Sequence, residues 1–353
     1  MSVGFRKISV TGTPAQIGLQ TGMLLKNEIR RNIDFYIPYI QDKLPGPKLT
    51  KAVVQIKSLL NTYCPHLLIE IESMAAAAEV DPVYMMAMNA RTELLLSPHY
   101  NECTAVVFPR KGLLGQNWDW SSRLEKGTVV VEITRPDGLK IIQLTEAGIC
   151  GKIGMNNRGI GVTLNILKTF DRNLTGMPIH IVMRNILECK NLQEARQMIN
   201  RLPQKTASNL VVADTGDALD VEYGGPTWQL VEITDDYYVH TNHYIHLIDI
   251  PVDGVALENS KTRYYSAINK LQTSERTMAG LKAVLSDTRE PYPVFRKYIA
   301  DPDKHLKEMG TLATIVMDLK KRVFAVRKGN PASAQFEFDR YDTYQITDPS
   351  NKE

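Results

Sequence analysis

The chain has 353 residues, a formal charge of +3, 43% hydrophobic residues and 23% charged residues. That length holds two ordinary domains or one large layered one, and the apolar content excludes a disordered chain. Basic residues are interleaved with acids, which excludes a nucleic-acid footprint, and no apolar stretch approaches the roughly 18–20 residues of a membrane helix.

The first hundred residues read as helical. Thr13-Pro14-Ala15-Gln16 is a helix start: a capping Thr, Pro at the first helical position and Gln three residues after the cap. Ile17, Met23, Leu24, Ile29, Ile33 and Ile37 continue it as an apolar stripe that ends at Leu44-Pro45-Gly46-Pro47. Residues 49–61 and 67–80 predict two more helices, and Asp81-Pro82 starts another that carries Met85, Met86, Met88 and Leu94.

At Cys103 the pattern changes to strands. These are expected at 104–108, 113–120, 129–134 and 139–145, the last two joined by Asp137-Gly138. Asn156-Asn157-Arg158-Gly159 marks another hairpin, between 153–155 and 160–164. Helices follow at 178–188 and 192–202, and strands at 210–213, 218–222, 228–233 and 237–241. Helices at 262–271 and 278–285 precede closing strands at 312–318 and 323–327. Segregated runs of this kind predict an α+β fold, with two antiparallel sheets packed together and helices outside.

MSVGFRKISV lacks the apolar core of a signal peptide and PSNKE is not a peroxisomal address, so a cytoplasmic location is expected. Cys64, Cys103, Cys150 and Cys189 are widely spaced without a CxxC, which signals neither a zinc site nor a redox pair. Free thiols are expected in a reducing compartment. Cys103 differs from the other three because it opens an apolar strand directly after the turn-like Ser97-Pro98-His99-Tyr100-Asn101-Glu102.

Composition alone makes Cys103 a small core residue. As a nucleophile it needs a base, because the thiolate is the reactive form and an unassisted thiol titrates near 8.5. A histidine could serve. So could the cysteine's own α-amino group, which titrates near 7.7–8.0, if the chain were cut immediately before it.

The segment ECTAVVFPRKGLLGQNWDW resembles the cysteine N-terminal-nucleophile hydrolases of the acyl-CoA:6-aminopenicillanate acyltransferase type, the C45 peptidase family. The resemblance covers most of the chain. VTGTPAQIGLQTG and AMNARTEL match the helical pro-segment, while TEAGICGKIGMNNRGIGVTLN, GMPIHIVMRNILE and HTNH match the catalytic chain. It implies a four-layer αββα sandwich and self-cleavage between Glu102 and Cys103. The products would be a helical pro-segment, 1–102, and a catalytic chain, 103–353, which stay associated in one globule.

The resemblance also implies roles. Cys103 is the nucleophile, Asn242 donates its side-chain amide to the oxyanion, and Asp119 holds the α-ammonium while its backbone N–H completes the oxyanion hole. Thr104, Asn165 and Ser208 fall in matching blocks near the substrate. Trp118 and Trp120 read as packing, and Arg263 reads as a solvated arginine on a helix face, with the binding of an acidic substrate group as the alternative. His240, His243 and His246 have a helical spacing but follow a strand, and HExxH is absent, so no metal is expected. No cofactor is implied, although an acyl-CoA co-substrate is compatible with the chemistry.

Two departures from the family pattern stand out. Glu102 occupies a place where glycine is common, which bears on the ease of cleavage. Glu308 stands where the penicillin-making member has an arginine; its charge would repel a β-lactam carboxylate and favour a small linear, amine-bearing amide. The expected function is therefore a self-processed amidohydrolase or acyltransferase that works through an acyl-thioester on Cys103. The alternatives are an uncleaved, non-catalytic binding protein on the same fold, or a conventional Cys-His hydrolase with His99 or His243 as base. The expected partner is a small amide substrate, with neither nucleic acid nor membrane.

Overall fold

The computed structural model describes residues 4–95, 103–169, 176–203, 206–250, 254–289, 291, 293–329 and 336–347. It opens with a strand, β1 (Arg6–Thr11), followed by six helices: α1 (Pro14–Leu24), α2 (Lys26–Lys43), α3 (Gly46–Tyr63), α4 (Pro65–Ala78), α5 (Pro82–Asn89) and α6 (Arg91–Leu95). The capping box at Thr13 is present as the sequence predicts, with Thr13 Oγ1 accepting from Gln16 N and Gln16 Oε1 accepting from Thr13 N.

Six strands come next: β2 (Cys103–Phe108), β3 (Leu113–Ser121), β4 (Thr128–Thr134), β5 (Lys140–Glu146), β6 (Ile153–Asn156) and β7 (Gly161–Ile166). Two hairpin turns fall at the anticipated glycines. Gly138 at φ 81° and Gly159 at φ 88° adopt left-handed backbone that a side chain would strain. Helices α7 (Ile179–Glu188) and α8 (Leu192–Arg201) lead to β8 (Ala207–Ala213), β9 (Ala218–Gly224), β10 (Trp228–Ile233) and β11 (Tyr238–His240). The chain ends with α9 (Gly254–Gln272), α10 (Met278–Leu285), β12 (Ile299–Ala300), β13 (Glu308–Asp318), β14 (Val323–Lys328) and β15 (Asp342–Gln345).

These strands form two sheets. One has the order β1-β4-β5-β6-β7-β8-β9-β10; the other runs β11-β2-β3-β13-β14-β15, with β12 on β13. The sheets meet where β2 and β3 lie on β7, α7 covers β6 and β7, and α10 covers β3 and β13. Helix, sheet, sheet and helix therefore stack as an αββα sandwich, the class the sequence led us to expect. Strands β2 and β3 are buried on both faces because each is covered by a sheet on one side and helices on the other.

Two expectations need correction. The first hundred residues are not wholly helical: β1 pairs in parallel with β4, from Arg6↔Val129 to Thr11↔Thr134, so the larger sheet is not purely antiparallel. Only Ile8 and Val10 of β1 face inward, too short an alternation to compete with the helical periodicity that follows. The apolar stripe from Ile17 to Ile37 belongs to two helices, α1 and α2, which break at Leu25.

Buried polar contacts tie the early helices to the later sheets. Asn32 Nδ2 donates to the carbonyls of Gly127 and Ala147 at 3.0 and 2.9 Å. Arg184 of α7 donates two parallel hydrogen bonds to Glu70 of α4, at 3.0 and 2.9 Å, and its Nε reaches Glu188 at 3.0 Å. Its side chain is almost completely buried. Removing one partner of such a pair strands the other charge without water. Arg184→Met is expected to cost about 3–5 kcal/mol in urea unfolding; a loss below 1 kcal/mol would mean that Glu70 finds water or another cation.

Candidate active site

Cys103 begins β2, between β11 and β3, with Trp118 as its cross-strand partner and Ala105 opposite His240. Its backbone N–H donates to Asn242 Oδ1 at 2.8 Å. Its carbonyl accepts from Arg263 Nη1 at 2.7 Å. The residue is buried and lines a cavity with Arg91, Trp118, Asp119, Lys152 and Asn242. The space there open to a water-sized molecule is about 20 Å³, enough for about one water.

Burial, and then the charge of Asp119, push the Cys103 thiol up to about 12. The Asp119 backbone N–H works the other way as a hydrogen-bond donor to the sulfur. At neutral pH the thiol of the unsplit chain is therefore protonated.

Asn242 follows β11 in a turn that is fastened from several sides. Its own N–H donates to Ser260 Oγ at 2.7 Å and its Nδ2 donates to the Ile166 carbonyl at 2.9 Å. Asn165 Nδ2 donates to the carbonyls of His240 and Thr241, at 2.8 and 2.7 Å. His240 has an acceptor at each ring nitrogen, the Thr241 carbonyl and Glu222 Oε1, so both nitrogens donate and the ring is a cation. Burial alone would discharge it, but Asp220 and Glu222 hold its pKa above the usual value.

The sequence-predicted residues divide accordingly. Cys103, Asp119 and Asn242 converge on one cavity. Thr104 lies just behind it, its Oγ1 accepting from Arg263 Nη1 at 3.1 Å, and Asn165 supports the Asn242 turn. Ser208 bonds Thr206 Oγ1 at 3.2 Å and does not line the cavity. Glu308 accepts from Ser122 Oγ at 2.9 Å and is also outside the lining. Glu102 and His99 fall outside the described residues. Trp118 and Trp120 are buried as packing residues and form part of the cavity wall.

Arg263 corrects the sequence reading. It is fully buried, and besides Cys103 and Thr104 it reaches Asn242 Oδ1 through Nη2 at 2.9 Å. One signal was available: Ser260, Arg263, Ala267 and Leu271 fall on one helical face, and all four are buried. Arg91 and Lys152 were also missed, although both sit inside the blocks AMNARTEL and TEAGICGKIGMNNRGIGVTLN.

Histidines enter the site differently from the metal pattern weighed in the sequence. Among the described residues, the close cluster of ligand types is Asp220, Glu222 and His240, not His240, His243 and His246. Glu222 is already held by His240 and by the backbone N–H groups of Ile245, His246 and Leu247. A cation there would have to displace a saturated ion pair. His243 faces Thr241 Oγ1 and Ser260 Oγ rather than the cavity, and burial first, then neighbouring cations, lower its pKa to about 4.

An αββα sandwich with amide, carboxylate and thiol groups converging at the head of an inner strand is the fold of the N-terminal-nucleophile hydrolases, enzymes that act on amide bonds. A family profile described as acyl-coenzyme A:6-aminopenicillanic acid acyl-transferase matches residues 108–333, more than half of the chain. The protein belongs to this family. It is 28% identical, over 336 residues and 92% of both chains, to the 40 kDa form of acyl-coenzyme A:6-aminopenicillanic-acid-acyltransferase from Emericella nidulans.

Among solved structures it is similar to a mutant conjugated bile acid hydrolase from Clostridium perfringens. There the TM-score is 0.46 at 12% identity, covering 70% of this chain and 97% of that one. It is also similar to the Caenorhabditis elegans ortholog of N-acylethanolamine-hydrolyzing acid amidase. In that case the TM-score is 0.45 at 18% identity, covering 69% and 100%. Among the described residues, no helix is long and apolar enough to cross a membrane.

The raised thiol gives a pH test. In the unsplit chain, alkylation of Cys103 by iodoacetamide should climb steadily with pH and show no inflection below about 10, since its titration is pushed up to about 12. Asp119→Asn removes a charge that disfavours the thiolate and should speed labelling. An inflection near neutrality, read by peptide mass spectrometry, would reveal a base already in place.

Proposed function

We propose that the protein is a self-processing amidohydrolase or acyltransferase with Cys103 as nucleophile. The observation that carries this reading is the hydrogen bond from the Cys103 backbone nitrogen to Asn242 Oδ1, at 2.8 Å, beside a thiol-lined cavity. The same oxygen would receive an N–H of the free amine after cleavage.

In the first stage the Cys103 thiol adds to the Glu102 carbonyl carbon. The peptide C–N bond breaks, the nitrogen takes up the thiol proton, and a thioester links Glu102 to the sulfur. Water then hydrolyses the thioester, leaving a Glu102 carboxylate and a Cys103 with both thiol and amine free. The segments 1–102 and 103–353 remain joined by β1–β4 pairing and by Arg184–Glu70.

In the second stage the amine accepts the thiol proton, and the thiolate attacks the amide carbonyl of the substrate. Asn242 has a second Nδ2 hydrogen beyond the one given to Ile166, and with the Asp119 backbone N–H it is suited to the oxyanion. The amine product leaves with the proton. Water or an acceptor amine takes the acyl group, and an acyl-coenzyme A can charge the thiol by the same exchange.

Arg263 positions this machinery by holding the Cys103 carbonyl and Asn242 Oδ1 together. His243 is less suited to be the base because it is engaged with Thr241 and Ser260.

Intact mass of the purified protein should resolve two pieces split before Cys103, and Cys103→Ala should give one chain without amidase activity. A wild type that hydrolyses amides while its 102–103 peptide bond is whole would defeat the free-amine base.

A further inference from the structure

The cavity beside Cys103 carries a charge arrangement that the chemistry above does not use. Glu146, at the end of β5, lies fully buried between two cations. Its Oε1 pairs with Arg91 Nη2 at 2.9 Å and accepts from Tyr36 Oη at 2.7 Å. Its Oε2 pairs with Lys152 Nζ at 2.6 Å. Burial would raise this carboxyl, but Arg91 and Lys152 together hold it well below the usual range.

Both cations line the Cys103 cavity. Neither has its donors filled by Glu146. A lysine ammonium has three N–H groups and an arginine five; Arg91 Nε is buried without a hydrogen-bond partner among the described residues. Lys152 Nζ stands 3.6 Å from the centroid of the Trp118 ring, while the Arg91 guanidinium lies over the rings of Tyr36 and Trp120. The aromatic faces keep water away and hold both side chains in place.

Donors outnumber acceptors at this wall. Asp119, the carboxylate among the described lining residues, acts on the Cys103 sulfur and would answer the α-ammonium released by cleavage. Glu93 accepts from the backbone N–H of Ile179 at 2.9 Å, and burial raises its carboxyl to about 7, so it answers Arg91 only in part. Glu146 is the carboxylate that touches both Arg91 and Lys152, and each keeps N–H donors that it does not fill. Consistent with this crowding, burial and the neighbouring Arg91 outweigh Glu146 and bring Lys152 down to about 7.

We propose that Arg91 and Lys152 form a subsite for a carboxylate carried by the amide substrate, close to the scissile carbonyl. This deepens, and rests on, the reading of Cys103 as the nucleophile. It also revises the amine-bearing substrate suggested by Glu308, which lies outside the cavity lining. Because Arg91 belongs to the segment before Cys103, both segments contribute to substrate recognition, and the early segment is part of the working site.

The test is binding to the purified wild-type protein, followed by NMR titration with butyrate and with its neutral isostere 2-pentanone. Neither probe is an amide, so the result is independent of turnover, whereas intact mass reports separately on Cys103. Butyrate is expected to bind at least roughly tenfold more tightly than 2-pentanone, the scale of one charge-assisted hydrogen bond.

Lys152→Gln should abolish that preference, and Lys152→Arg, which keeps the charge and protects the fold around Glu146, should restore most of it. Arg91→Gln should weaken butyrate in the same direction. Equal binding of the two probes to the wild type, or an undiminished butyrate preference in Lys152→Gln, would overturn the subsite.

Discussion

A single guanidinium organises the head of β2. Arg263 reaches across from α9 to hold the Cys103 carbonyl, the Thr104 hydroxyl and Asn242 Oδ1 at once. Arginine suits this place because its donors radiate from a rigid plane and its charge persists when buried. Cys103 N then meets Asn242 Oδ1 from the other side, so one amide oxygen serves two donors. The Cys103 backbone and the Asn242 side chain are thereby fixed in one frame, and the turn after β11 is braced by Asn165, Ser260 and the His240–Glu222 pair.

A second constraint is the amount of ionic chemistry the sandwich keeps away from water. Glu146, Lys152, Arg91, Arg184 and Glu70 are all nearly inaccessible. Buried pairs of this kind seldom add net stability over an apolar core of the same volume. Around Arg184 and Glu70 the geometry is closed and bidentate, as expected of a clamp between elements. Around Glu146 it is open on one side, where the cations border the cavity. The difference between a saturated and an unsaturated cluster separates a fastening from a recognition surface.

Much of the architecture was legible because its signals are local. Asp137-Gly138 and Asn156 to Gly159 mark hairpins through backbone geometry that few residues adopt, and Thr13 to Gln16 spells out a cap. The strand β1 was not legible because its two inward residues carry too little pattern, and its partner lies more than a hundred positions away. The same limit applies at the site. Cys103, Asp119 and Asn242 could be found through blocks resembling a known family. The ionic partners of Arg91, Lys152 and Arg263 are set by tertiary contacts, and a charged residue on an amphipathic segment is ordinarily solvated.

The placement of β1 has a consequence for solubility. Strand β1 caps one margin of the eight-stranded sheet and puts Arg6 and Lys7 outward, a combination that discourages further pairing. Without it, the Val129-Val130-Val131 run of β4 would present a bare ladder of amide and carbonyl groups. A polypeptide made from residue 103 onward alone would thus be born with an adhesive rim. Synthesis as one continuous chain supplies the shield before that rim can meet another copy.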